Sequence, residues 1–295
     1  MVWSDVWRLW TLAPGVIIVA GALREVFEDL FHPTATGTLS DLISRGVFSM
    51  FRKSRRLLPV AGPLALVLVI FSWAILLTVG FALLYDSVLP ADFRAQSGTP
   101  DHGFWTALYF SFEVMTTLGL GELTPNPAWL RMLVSFHALV GFALVTASVS
   151  WIVLLYPALA RMRSLARRAS LLAEAEERTG VSIVSGSADT ILGDFATDLI
   201  RTRVDLVYFP IIYYFHADSE TASLPHSLPL LARFADEGSK RWDSERVRLS
   251  AAALRVALDD LARLLAERFV DADPKDVEET FRAYAEQHVS GGTKG

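Results

Sequence analysis

Thr99–Ala128 reads TPDHGFWTALYFSFEVMTTLGLGELTPNPA, and this stretch decides the architecture. Its 103–116 portion is an apolar run of helical pattern, about 14 residues long and so about half a bilayer crossing. Thr99-Pro100-Asp101 ahead of it supplies a helix start, with threonine as cap and proline at the first position. Thr117-Leu118-Gly119-Leu120-Gly121-Glu122 follows, and its alternating glycines end the helix. A solvated loop would not carry so many aromatic and aliphatic side chains, so part of this segment is buried. At membrane depth, non-helical backbone is tolerated only where it lines a water-filled path or is enclosed by protein. The expected form is a re-entrant helix over 103–116 tipped by an extended run over 117–122.

The flanks are uncharged. Between Arg56 and Asp86, and again between Arg131 and Arg161, 29 residues carry no formal charge, where about 20 suffice to span as a helix. Spans are expected over 60–85 and 129–156, the second closed by Pro157. Near the N-terminus, Arg8 and Arg24 enclose 15 uncharged residues, and Glu25, Glu28 and Asp29 follow. Residues 1–33 therefore read as a hydrophobic helix that either spans or lies at the interface, its acidic end a membrane-boundary group or an ion ligand. Lys and Arg mark the cytoplasmic side. Arg45, Arg52, Lys53, Arg55 and Arg56 make 34–59 a basic cytoplasmic linker, while 86–103 holds only Arg94 beside Asp86, Asp92 and Asp101. Arg161, Arg163, Arg167 and Arg168 put 157–295 inside as well.

Composition narrows the function. With 52% hydrophobic and 20% charged residues and a mean hydropathy of +0.37, the chain is too apolar for an ordinary soluble domain. Zero cysteines exclude disulfides, thiolate zinc, a cysteine nucleophile and iron–sulfur clusters. A net charge of −5 argues against nucleic acid as a partner. There is no nucleotide loop, metal-ligand cluster or nucleophile with a positioned base, so an enzyme is not expected. Residues 157–295 read as a helical domain, with helices at about 158–178, 187–216, 226–240, 243–270 and 274–288, the last capped by Asp273 ahead of Pro274. Within it, VDLVYFPIIYYF (204–215) is core, a subunit interface or a ligand pocket, and Glu174, Glu176 and Glu177 are a solvated face or a cation attractor. Neither a GxGxxG after a strand nor a run of short alternating strands occurs, which argues against a Rossmann-type or β-roll module.

Ala107–Pro125, ALYFSFEVMTTLGLGELTP, resembles the pore helix and filter of tetrameric potassium channels of the bacterial two-span type, and the likeness continues through Trp129, Arg131 and Gly141. It covers about 60–156. The resemblance implies an all-α integral membrane protein of the cell membrane: outer helix 60–85, pore helix 103–116, filter 117–122 and inner helix 129–156, with a helical cytoplasmic domain. One pore loop cannot close a ring, so it implies a homotetramer. Carbonyls of Thr117, Leu118, Gly119 and Leu120, with the Thr117 hydroxyl innermost, would replace the hydration shell of potassium. Gly119 and Gly121 would take φ > 0. Potassium is then the permeant ligand, with no other cofactor, and the partners are lipid and copies of this chain; a cytoplasmic ligand or protein stays open.

The family usually carries Val, Tyr or Phe, and Asp where this chain has Leu118, Leu120 and Glu122, so a non-selective or sodium-permeable channel remains an alternative. A non-conducting sensor or assembly subunit is another. Glu113 and Glu122 either share a proton behind the filter, or Glu113 bonds backbone amides and Glu122 stands at the outer mouth. Gly141 is a gating bend or a close helix contact, and Phe142, Val145 and Val149 would face the cavity. His137 is a titratable pore group or is hydrogen-bonded between helices. The compact 52–56 cluster lacks the three-residue spacing of a voltage sensor.

Overall fold

The computed structural model describes residues 2–31, 38–51, 57–98, 103–186, 188–217, 219–241 and 244–288. In chain order its elements are α1 (Val2–Phe31), α2 (Thr38–Phe51), α3 (Leu58–Asp86), β1 (Phe93–Ala95), α4 (Phe104–Met115), β2 (Leu123–Pro125), α5 (Ala128–Thr179), α6 (Ala188–Tyr208), α7 (Leu224–Ser239), α8 (Glu245–Arg268) and α9 (Val277–His288). Short 3-10 turns occupy Pro210–Tyr214 and Glu220–Ala222. The molecule is mostly helical, and three helices are long and apolar enough to cross a membrane, within Trp10–Leu30, Leu58–Asp86 and Ala128–Thr179. The all-helical expectation needs one amendment, the antiparallel ribbon β1–β2 with Arg94 opposite Thr124.

The chain forms two compact units. The first holds Met1–Ser40 and Val67–Val153. Here α1 lies along α3 where both helices carry glycine: a Cβ on Gly15 would sit 2.9 Å from the Gly80 carbonyl, and one on Gly80 would sit 2.7 Å from Val19. Small residues permit such backbone approach between apolar helices, whose packing contacts then accumulate. The acidic end of α1 bonds the start of α2. Glu25 accepts the backbone N–H of Leu39 at 2.5 Å, and Asp29 accepts the Ser40 hydroxyl at 3.0 Å. Glu25 thus caps the N-terminus of α2, where orphan amides and the helix dipole favour negative charge, and Asp29 holds its first turn through a side chain. Glu28 is paired with Arg24 at 2.7 Å.

The second unit holds Asp41–Leu66 and Leu154–Gly295. Its core is the seam between α6 (Leu192, Phe195, Leu199, Leu206) and α8 (Leu254, Leu258, Leu261, Leu265), all buried. Across it, α7 approaches so closely at Gly238 that a Cβ would meet Ala251 at 2.8 Å. Arg203 and Asp260 pair at 2.6 Å beside this seam, and Glu176 is no solvated face, because it pairs with Arg233 at 2.7 Å and accepts the Ile183 amide. An aromatic cluster of Tyr213, Tyr214, Phe269, Tyr284 and His288 closes the other end, and Phe48 of α2 packs on Tyr214 at 5.5 Å. Burial pushes the Tyr214 hydroxyl up to about 12 and holds His288 neutral by lowering it to about 3, the nearby His216 acting in the same direction on His288.

Several boundaries differ from the sequence reading. Pro157 does not end the helix: α5, 52 residues long, runs through it. The proline removes one hydrogen bond to the Val153 carbonyl, but Ala158, Leu159, Met162, Leu165 and Ala166 are buried and hold the helix on course. The helix expected over 187–216 ends at Tyr208, where Pro210 turns the chain into a 3-10 turn, and within 204–215 the stretch Ile211–Phe215 is buried while Val204 and Tyr208 are exposed. The last helix starts after Asp276, whose side chain accepts the Glu279 amide at 2.9 Å, whereas Asp273 caps only the preceding turn through Lys275. Thr38–Phe51, read as linker, is helical. Arg52, Lys53, Arg55, Arg56 and Thr99-Pro100-Asp101 lie outside the described residues.

Candidate functional site: a half-length helix and its glycine-alternating tip

α4 begins after Gly103, whose φ of 118° only glycine adopts readily. Its 12 residues make about 18 Å of helix, too short to span. Its inward face packs on α3: the Ser111 hydroxyl donates to the Thr78 carbonyl at 2.7 Å, and Phe110 stands edge-on to both Tyr85 and Phe93 at 5.0 Å. The fully buried His137 ring of α5 stacks on Phe81 at 3.7 Å, with Nδ1 3.1 Å from the Tyr85 hydroxyl. His137 thus joins two helices, the second of its two expected roles.

The helix ends at Met115, and the amides of Thr117 and Leu118 turn back onto the carbonyls of Val114 and Glu113 at 3.0 Å. From there the backbone alternates in hand. Thr117, Gly119 and Gly121 have φ of 57°, 61° and 78°, with Leu118 and Leu120 between them on the ordinary side. Alternating hand directs successive amide N–H groups to one side of the chain and successive carbonyls to the other. The glycines accept this conformation at little cost, but a β-branched threonine there is strained. Thr117 was not anticipated at positive φ.

Two carboxylates brace this tip, each with its own partner. Glu113 is buried, and its Oε1 accepts the Gly121 amide at 3.0 Å. Its Oε2, also buried, finds no hydrogen-bond partner among the described residues. Glu122 accepts the Tyr109 hydroxyl at 3.1 Å. Tyr109 sits one helical turn before Glu113, and that spacing was the only sequence signal for it. Leu118 and Leu120 are 62% and 54% exposed, a large apolar exposure for a tip so deliberately held.

Gly141 of α5 meets the same tip. A Cβ there would overlap the Met115 carbonyl oxygen, so the glycine permits a close backbone contact at this point. Phe142, Val145 and Val149 are exposed, on the face of α5 away from His137, Leu144 and Trp151, which are buried.

Residues 66–155 match the family described as "Ion channel", and this segment contains α4, its tip, Gly141 and most of both flanking spans. Over that segment the chain is similar to ion channels. Over 221 residues the chain is 26% identical to "Uncharacterized membrane protein YdjJ" of Bacillus subtilis (strain 168), covering 70% of this chain and 63% of that protein. The chain therefore spans less than two thirds of that relative's length. This alignment is more than twice as long as the segment matched to that family, so the likeness extends beyond it. No solved structure matches.

Proposed function

We propose that the protein is a homotetrameric, potassium-selective channel of the cell membrane, a conductor rather than an enzyme, with residues 157–295 on the cytoplasmic side. The observation that carries this reading is the alternation of backbone hand at Thr117, Gly119 and Gly121 on the tip of a buried half-length helix. Such a run offers a column of carbonyl oxygens to a dehydrated cation, here those of Thr117, Leu118, Gly119 and Leu120. One chain leaves the column and two leucines uncovered, and three further copies around a four-fold axis would cover them. Phe142, Val145 and Val149 then line the cavity below and, being apolar, can close it by dewetting.

Selectivity belongs to the same reading. The usual aromatic is absent at Leu120, and the Tyr109–Glu122 and Glu113–Gly121 bonds brace the filter in its place. The test is flux from liposomes holding the purified protein under a potassium gradient, then a sodium gradient, with Gly119→Asp as a dead-pore control. Potassium flux without sodium flux, lost in the variant, is the expected result. Equal flux of both ions would make the channel non-selective, and silence would favour a non-conducting sensor or assembly subunit.

A further inference from the structure

Three elements of the second unit converge on Pro210–His216. At the foot of α3, Gly62 lacks a side chain where Phe215 takes its place: a Cβ would lie 2.6 Å from the Phe215 ring and 2.9 Å from its Cα. Leu58, Ala61 and Ala65 around it are fully buried. From α5, Arg163 donates through Nη2 to the His216 carbonyl at 3.2 Å. Neighbouring arginines of α5 are held on α6, Arg161 by two bonds to Asp205 at 2.9 and 2.7 Å, and Arg168 by Asp194 at 2.9 Å. From α2, Phe48 packs on Tyr213 and Tyr214.

The convergent segment is itself stiff. The amide of Ile212 bonds the Phe209 carbonyl and that of Phe215 the Ile212 carbonyl, at 3.0 and 3.1 Å. Tyr213 is stacked on Phe269 at 4.3 Å, with its hydroxyl on Gln287 at 2.7 Å. This knuckle thus reports on α8 and α9 through one ring and holds α3 and α5 by two neighbouring residues.

We propose that Pro210–His216 is the coupling element of the channel, fastening the lower ends of α3 and α5 to one point and passing the state of the helical domain to the gate. Its output rests on the channel reading above. Each fastened helix is continuous, α3 from Leu58 to Asp86 and α5 from Ala128 to Thr179, so a displacement at the foot travels along the axis. The two attachments differ in kind. Gly62 against Phe215 is a backbone-to-ring contact that admits no added atom and acts as a pivot, whereas Arg163 to His216 is a single hydrogen bond that can break and re-form. A shift of the knuckle therefore opens the Arg163–His216 bond while the Gly62–Phe215 contact stays closed, with α5 still held on α6 by Arg161 and Arg168.

Full-length Gly62→Ala and Arg163→Ala proteins in liposomes are compared with the natural protein for potassium flux and for the potassium-to-sodium ratio, and in detergent for elution as the same oligomer. Gly62→Ala adds a Cβ that must push Phe215 aside and is expected to change open probability about tenfold, a coupling of ordinary size. Arg163→Ala, eluting as the same oligomer as the natural protein, is expected to change open probability about fivefold or more. The potassium-to-sodium ratio is expected to stay unaltered in both. Arg163→Ala gating as the natural protein does, or an altered ion ratio in either variant, overturns the proposal, and unchanged gating in Gly62→Ala overturns the pivot. A silent natural protein overturns the channel reading and this inference together, whereas a conducting natural protein matched by both variants overturns the inference alone.

Discussion

At Gly141 one methyl group separates two outcomes. Alanine is the better helix former by about 1 kcal/mol, yet its Cβ would overlap the Met115 carbonyl and force α5 off the tip of α4. Overpacking of this kind costs about 1–3 kcal/mol, so Gly141→Ala is expected to lower potassium flux about tenfold while the protein still reaches the membrane; unaltered flux would show that the contact yields. Glu113 is the other decisive residue. Glu113→Ala leaves the Gly121 amide unpaired, at about 1–3 kcal/mol, and should shorten the time over which flux persists after a potassium jump. Glu113→Gln keeps an acceptor for that amide and should hold flux near the natural level. The positive φ of Gly119 and Gly121 was legible through the resemblance to a filter, at a residue type that adopts it cheaply. The bond from Tyr109 to Glu122 was not, since it closes across 13 positions through a turn whose path no local pattern specifies.

Among elements, the spans and the half-length helix were legible because length and uninterrupted hydrophobicity report them directly. Their ends were less so. Pro157 does not break the helix, since the burial of Ala158, Leu159, Met162, Leu165 and Ala166 beyond it outweighs the single hydrogen bond a proline forfeits. Asp273-Pro274 carries a familiar helix-start pattern, yet the chain defers the start of α9 to Asp276, three residues on. This gives a test by melting the full-length protein in detergent. Asp276→Ala should lower the melting temperature by the loss of a helix cap, about 1 kcal/mol, and Asp273→Ala by less, because its side chain holds only the turn amide of Lys275. The reverse order would return the cap to Asp273.

For the molecule as a whole, stability should depend on acid through His288. It is 5% exposed, among Phe48, Tyr213 and Tyr284, and stays neutral in the fold down to about pH 3, whereas an unfolded histidine takes a proton near pH 6.5. Between those values the unfolded chain binds more protons, so stability is at its full value above about pH 6.5 and falls as pH drops toward 3, by up to about 1.4 kcal/mol per pH unit. Melting temperature of the full-length protein should therefore decline between pH 7 and pH 5, and His288→Phe, which suits the aromatic surroundings, should flatten that decline. An equal slope in the variant would assign the acid response to other groups.

The sequence by itself determined the apolar spans, the half-length helix, the glycine-alternating tip and the helical character of 157–295. Each is recorded in a contiguous run, through hydrophobic length, helical period or the tolerance of one residue type for left-handed backbone. Only the tertiary structure decided that Gly141 lies against Met115, that Glu25 caps α2, that Glu176 pairs with Arg233, and that Gly62 and Arg163 meet one knuckle at Phe215 and His216. These depend on which distant surfaces come within a few ångströms, and such pairing energies are summed over the whole fold and leave no periodic trace in the chain.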